Sequence, residues 1–220
     1  MARATNNGRC VFCKGVFSKQ TMAKHLAVCE KNKNASKGAT EQTVYRLLVE
    51  GLQAPEYWLH LEASGSAKLK DLDDLLREVW LECCGHLSVF NINGQNYSVS
   101  PMQGFGDKSM NLPLDKILTS KMKFSHEYDM GTTTELTVKV LTAGTAQMKR
   151  GEIKLAARNE PPVYQCSVCK EIATQICSQC VFDGNPFVCD DCAEEHECGE
   201  EMLLPVVNSP RMGMCGYTGD

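Results

Sequence analysis

The sequence predicts an α+β fold in which one helix packs across a mixed β-sheet, with a small cysteine-rich module at each end of the chain. Three observations carry this expectation. Between residues 43 and 157, runs rich in β-branched and aromatic residues surround a single stretch of helical periodicity. All but two of the 13 cysteines lie outside that region, most of them in C-x-x-C pairs. Charge is also uneven: residues 1–38 hold eight basic residues and one acidic (8 − 1 = +7), whereas residues 163–220 hold two basic and ten acidic (2 − 10 = −8), within a formal total of −4.

The central elements follow in order. "TVYRLLVEGL" and "EYWLHLEAS" read as two strands. In "KLKDLDDLLREVWLEC", residues Leu69, Leu72, Leu76, Val79 and Trp80 recur at three- and four-residue steps, which places them on one face of a helix that Gly85 then ends. "HLSVFNING" alternates up to Asn93-Gly94, a hairpin signal, and "QNYSVS" is the returning strand. "KFSHEYDM" and "TELTVKVLTA" add two more. The order β-β-α-β-β-β-β suggests a β-grasp-like arrangement. A polar stretch at residues 34–42 reads as a linker, and the Pro161-Pro162 pair in "RNEPPVYQ" reads as an extended spacer before a last module at residues 163–220.

The first 33 residues contain C-x2-C-x11-H-x3-C: Cys10, Cys13, His25 and Cys29. A C-x-x-C turn directs two sulfurs at one ion, and residues 25 and 29, four apart on a helix, share a face. Four nitrogen or sulfur donors are the set that tetrahedral Zn²⁺ requires. Phe17 and Met22 supply a small apolar plug, and Ser18 is a candidate N-cap for the ligand helix. The pattern resembles the classical ββα zinc finger, with the last His replaced by Cys. Lys14, Lys19, Lys24 and Lys31 make the segment basic, so contact with nucleic-acid phosphates is a reasonable expectation, although one finger reads only about three base pairs.

Residues 166–198 run C-x2-C-x7-C-x2-C-x8-C-x2-C-x3-H-x1-C, using Cys166, Cys169, Cys177, Cys180, Cys189, Cys192, His196 and Cys198. Eight donors make two complete tetrahedra, and closed four-ligand sites build folds instead of performing catalysis. The order resembles the B-box type of cross-brace module. That resemblance implies that Cys166, Cys169, Cys189 and Cys192 share one ion, and Cys177, Cys180, His196 and Cys198 the other; sequential pairing is the alternative. The acidity of this end disfavours phosphate and favours a protein partner. Cys215 reads as an inert thiol on a tail packed against a neighbour, with a spare ligand or a reactive thiol as the alternatives, and Cys83-Cys84 as half-buried neighbours ill placed for a disulfide.

Residues 43–142 resemble the plasmid pRiA4b ORF-3-like family. The matching pieces are Pro55 with Trp58, the helix from Leu69 to Trp80, His86-Leu87 with Phe90, and Tyr128-Asp129-Met130-Gly131. The basic pair that commonly follows the Trp is Leu59-His60 here, and the family's helix His is Asp73. The resemblance implies a compact α+β domain often found beside mobile elements, with no established reaction. His126, Glu127 and Asp129 in "HEYD" read as structural, because alternation along a strand sends His126 to one face and the two carboxylates to the other.

Taken together, the residues suggest a non-catalytic interaction protein holding about three Zn²⁺, with nucleic acid as a partner for the finger and a protein for the acidic end. A pure protein scaffold and a thiol redox enzyme are the alternatives. The start of the chain lacks the apolar core of a secretion signal, and no apolar run approaches the ~20 residues of a membrane span, so a cytoplasmic location with reduced thiols is expected.

Overall fold

Alternating apolar residues set most of the elements, and strands extend further along the chain than expected. The computed structural model describes residues 7–29, 38–101 and 106–219. Part of the expected linker and Lys31 lie outside the described residues. The chain forms β1 (Asn7–Cys10), β2 (Val16–Ser18), α1 (Lys19–Val28), β3 (Thr40–Gly51), β4 (Trp58–Ser64) and α2 (Leu69–Leu76). These are followed by β5 (Ser88–Ile92), β6 (Gln95–Ser98), β7 (Lys108–Ser109), β8 (Lys123–Tyr128), β9 (Thr134–Met148) and β10 (Ile153–Asn159). The last segment contributes β11 (Gln175–Cys177), β12 (Phe187–Val188), α3 (Asp190–Ala193) and β13 (Leu203–Pro205). Among the described residues no helix is long and apolar enough to cross a membrane.

The expected fold class is corrected by the sheet. In place of one helix on a small β-grasp-like sheet between two separate modules, a sheet of ten described strands runs β2-β1-β10-β4-β3-β9-β8-β5-β6-β7. Neighbouring strands are antiparallel except for the short parallel pair β6 and β7. Two strands come from the N-terminal finger and two, β7 and β10, from stretches not read as strands. β10 carries Ala156 and Ala157, poor β-formers by propensity. Both are fully buried beneath Trp58 and the finger residues Cys10, Met22, Leu26 and Cys29. Their small side chains admit the finger, and that packing overrides propensity.

The finger is tied in by backbone. Gly8 pairs with Asn159, Arg9 with Arg158 and Cys10 with Ala157, and Val11 N–H donates to Ala156 O at 2.8 Å. A Cβ at Gly8 would stand 2.3 Å from the Trp58 ring and 2.5 Å from Arg158 O. Only glycine permits that approach of hairpin to indole. Lys19, at the start of α1, pairs with Glu50 of β3 and donates to Pro55 O at 2.8 Å.

α2 buries Leu69, Leu72 and Leu76 on one face, as its spacing predicts. The helix then widens into a π-helical turn, Arg77–Leu81, which turns the consecutive Trp80 and Leu81 both into the core. Asn93 (φ 53°) and Gly94 (φ 79°) form the tight turn between β5 and β6.

The C-terminal segment also joins the main core. It builds a small sheet, β12-β11-β13, whose Ile176 packs in the same apolar cluster as Tyr57, Trp80 and Leu136, together with Tyr164, Ala173 and Met212. The Tyr57 and Tyr164 hydroxyls lie 2.6 Å apart, and Tyr164 stacks on Phe187 with ring centres 4.1 Å apart.

Two outcomes follow. Gly8→Ala should cost about 1–3 kcal/mol, the scale of overpacking. Urea unfolding reads this, and hydrogen exchange at Val11 N–H should accelerate. His60 is buried on β4, and burial holds its imidazole at about 4, with a smaller push down from Lys19 against an upward one from Glu50. Its folded value lies below the ordinary 6.5, so the neutral form belongs to the native state. Stability is then full above about pH 6.5 and falls as pH drops towards 4. His60→Leu should flatten that stretch of the stability–pH curve relative to wild type.

Candidate metal centres

Each cysteine pair is presented by a local turn. In the finger, Cys10 N–H donates to Gly15 O and Lys14 N–H to Cys10 O, both at 2.9 Å, with Lys14 at φ 65°. The same turn recurs at the other end: Cys166 N–H donates to Glu171 O (2.7 Å) and Lys170 N–H to Cys166 O (3.2 Å), with Lys170 at φ 72°. Backbone N–H groups point at the sulfurs. Gly15 N–H donates to Cys13 Sγ at 3.4 Å, and Cys180 N–H to Cys177 Sγ at 3.4 Å. Such donors stabilise thiolate, the form that binds metal.

The structure brings Cys10, Cys13, His25 and Cys29 together, with ligand atoms all within 4.8 Å of one another. Cys13 Sγ lies 3.3 Å from His25 Nε2, and Phe17 stacks on the imidazole at 3.8 Å. Ser18 caps α1, its hydroxyl accepting from Thr21 N–H at 3.3 Å.

The C-terminal donors gather into two groups under the same limit: Cys166, Cys169, Cys189 and Cys192, and Cys177, Cys180, His196 and Cys198. Cys169 and Cys189 sulfurs are 3.5 Å apart; Cys180 Sγ is 3.6 Å from both His196 Nε2 and Cys198 Sγ. The grouping is interleaved. β11 and its following turn place Cys177 and Cys180, while the end of β12 and α3 place Cys189 and Cys192.

Electrostatics fit a cation. Burial opposes ionisation of Cys166, yet N–H donors from Cys169, Cys189 and Val168 outweigh it and bring the thiol to about 6. The neighbouring Cys189 and Cys169 side chains push Cys192 up to about 12. This cluster therefore favours a thiolate at Cys166 and resists one at Cys192, and a divalent ion relieves that resistance. These Cys/His clusters can hold metal ions.

Of the lysines expected to meet phosphate, Lys14 and Lys24 are exposed, whereas Lys19 is committed to Glu50. His126 is fully buried, its Nε2 2.7 Å from Asp73 Oδ1, with Arg77 3.8 Å from the other carboxylate oxygen. Asp129 accepts from Arg211 Nη2 at 2.7 Å, from Thr132 Oγ1 at 2.7 Å and from Gly131 N–H at 2.9 Å; these bonds hold its carboxyl well below the usual range. Cys83, Cys84, His86 and Cys215 also fall within 4.8 Å of one another, a group that the sequence reading missed. Its only local signal is C-C-x-H, and its fourth member lies 129 residues beyond His86.

No family model matches this chain, and no curated protein matches it. Among solved structures, a protein of unknown function from Methanosarcina mazei Go1 is similar, at 17% identity over 56% of this chain and 71% of that one, with a TM-score of 0.44. At that level it carries no argument.

The grouping is directly measurable. Cys169→Ser and Cys189→Ser should each remove the same metal ion, so the double variant should lose no more than either single one. Elemental analysis of the three proteins reads this; a double variant lacking two ions would indicate sequential pairing.

Proposed function

We propose that this chain is a zinc-stabilised, non-catalytic interaction protein whose acidic C-terminal module meets a protein partner. Three structural Zn²⁺ occupy the finger set (Cys10, Cys13, His25, Cys29) and the two C-terminal sets, each closed by four protein ligands and so without a position for substrate or water. The observation that carries the reading is the surface of the C-terminal module. Val168, Ile172 and Phe182 are 69%, 67% and 70% exposed, on a module with ten acidic residues against two basic. Large exposed apolar side chains on a module of net negative charge suit a partner with an apolar anchor and a basic surface. The resemblance of residues 43–142 to the pRiA4b ORF-3-like family, which implies no established reaction and a neighbourhood of mobile elements, agrees with a binding role.

Nucleic-acid contact through the finger is the second reading, favoured by the exposure of Lys14 and Lys24. Lys19→Glu is not a clean probe of it, because it would set a second carboxylate against Glu50 and disturb finger docking.

The two readings separate by mutation. A partner cross-linked to the intact chain should be lost from Phe182→Ala combined with Val168→Ser, should weaken with salt, and should be unaffected by Lys14→Glu plus Lys24→Glu. Capture that survives the first pair overturns the protein reading. Gel-shift affinity for a duplex that falls steeply with salt and disappears in the lysine pair would establish the second one.

A further inference from the structure

We infer that Cys83, Cys84, His86 and Cys215 form a fourth divalent-metal site, with a zinc-type donor set, that clasps the C-terminal tail to the core. The donors converge from two distant parts of the chain. After the π-helical turn, Gly85 at φ 79° reverses the backbone, its N–H held by Glu82 Oε1 at 2.6 Å, and returns His86 beside Cys83 and Cys84. The tail brings Cys215 from the other side, at φ 49° between Gly213 and Gly216, both also at positive φ.

The sulfur spacings are those of a coordination tetrahedron, and the imidazole nitrogen closes on two of the sulfurs. Bonds of ~2.3 Å from zinc to sulfur place sulfurs about 3.8 Å apart, and a sulfur and a nitrogen about 3.5 Å apart. Cys83 and Cys84 sulfurs stand at 3.6 Å, Cys84 and Cys215 at 3.7 Å. His86 Nε2 lies 3.0 Å from Cys84 Sγ and 3.2 Å from Cys215 Sγ. In the finger and C-terminal clusters the corresponding distances are 3.3–3.6 Å, close to the sulfur–sulfur spacings here, while the two His86 contacts are shorter. The cysteines are free thiols, not disulfides.

The surroundings are those of a supported ligand set. His86 faces Asp129 with its other nitrogen, Nδ1 standing 3.6 Å from Oδ1, longer than a hydrogen bond but on the side that leaves Nε2 for the ion. The same Asp129 is held by Arg211, a fully buried residue of the tail, whose Nη2 also reaches Cys83 Sγ at 3.7 Å. Three thiolates around a divalent cation leave one net negative charge, and the Arg211 guanidinium faces it. Ser209 Oγ donating to Trp80 O at 2.7 Å completes the tail's attachment close by. The metal thus closes a seam that hydrogen bonds already align.

This site is independent of the reading proposed for the other three, and metal stoichiometry keeps the two apart. Elemental analysis of the full chain purified with Zn²⁺ should give about four ions, and Cys215→Ser about three. A value of three in both proteins overturns the fourth site alone; a chain devoid of metal overturns both. A second measurement uses the wild-type protein, so that a misfolded variant leaves no ambiguity. Cys84 and Cys215 are exposed, and as free thiols they would be open to an alkylating reagent whether or not a chelator is present. Bound to metal, they should be protected in the native protein and become reactive on chelation, as mapped by mass spectrometry. Immediate labelling, or a mass lowered by two hydrogens with Cys84 joined to Cys215, would overturn the proposal.

Discussion

Crowding of sulfur is the constraint on which this structure depends. Three or four thiols gathered with their donor atoms within 4.8 Å cannot all carry the charge that makes them good ligands unless a cation sits among them. The chain meets this with N–H groups aimed at selected sulfurs and with two copies of one turn, at Cys10–Lys14 and Cys166–Lys170. In both copies a lysine takes the positive φ, a conformation that costs a non-glycine residue something and that persists because the turn around it is fixed. The strain is local, and its product is a pair of sulfurs with a common direction.

A small metal module normally depends on its ion for its whole fold. Here the dependence is shared. The finger's Met22 and Leu26 pack on Trp58, Ala156 and Ala157, and its first strand extends the sheet through β10. The C-terminal module lends Ile176 and Tyr164 to the central core. Metal binding at either end is therefore coupled to the sheet, because the residues that position the ligands also bury apolar surface of the core.

Local chemistry was legible in the sequence, and long-range assembly was not. The C-x-x-C pairs, the Ser18 cap, the leucine face of α2 and the Asn93-Gly94 turn are each determined within a few residues, and each forms as the residues imply. β10 was missed because Ala156 and Ala157 are selected for what lies on top of them, not for strand propensity. The ten-stranded sheet was missed for a related reason: nothing within "NGRC" announces that it pairs with "AARN" about 150 residues later. For Cys215 the sequence does not decide between an inert thiol and a spare ligand, because a single thiol in a glycine-rich tail carries no spacing signal; its neighbours are assembled by the fold.

Charge behaves in the same way. Counting residues made the first 38 strongly basic, yet the charge available to a partner is smaller than the count. Lys19 is neutralised by Glu50 and Arg9 by Glu160, which lies 2.9 Å away on the strand-end that the finger docks against. Both pairs hold the finger to the sheet, so these two cations serve attachment before recognition. At the other end the balance is reversed. Arg211 is spent on Asp129 in the interior, while Asp191, Glu194, Glu195 and Glu200 remain on the surface. Docking thus pairs positive charge of both modules with carboxylates of the central sheet and its edges, so each module presents less positive charge to a partner than its own residue count suggests while the net charge is unchanged.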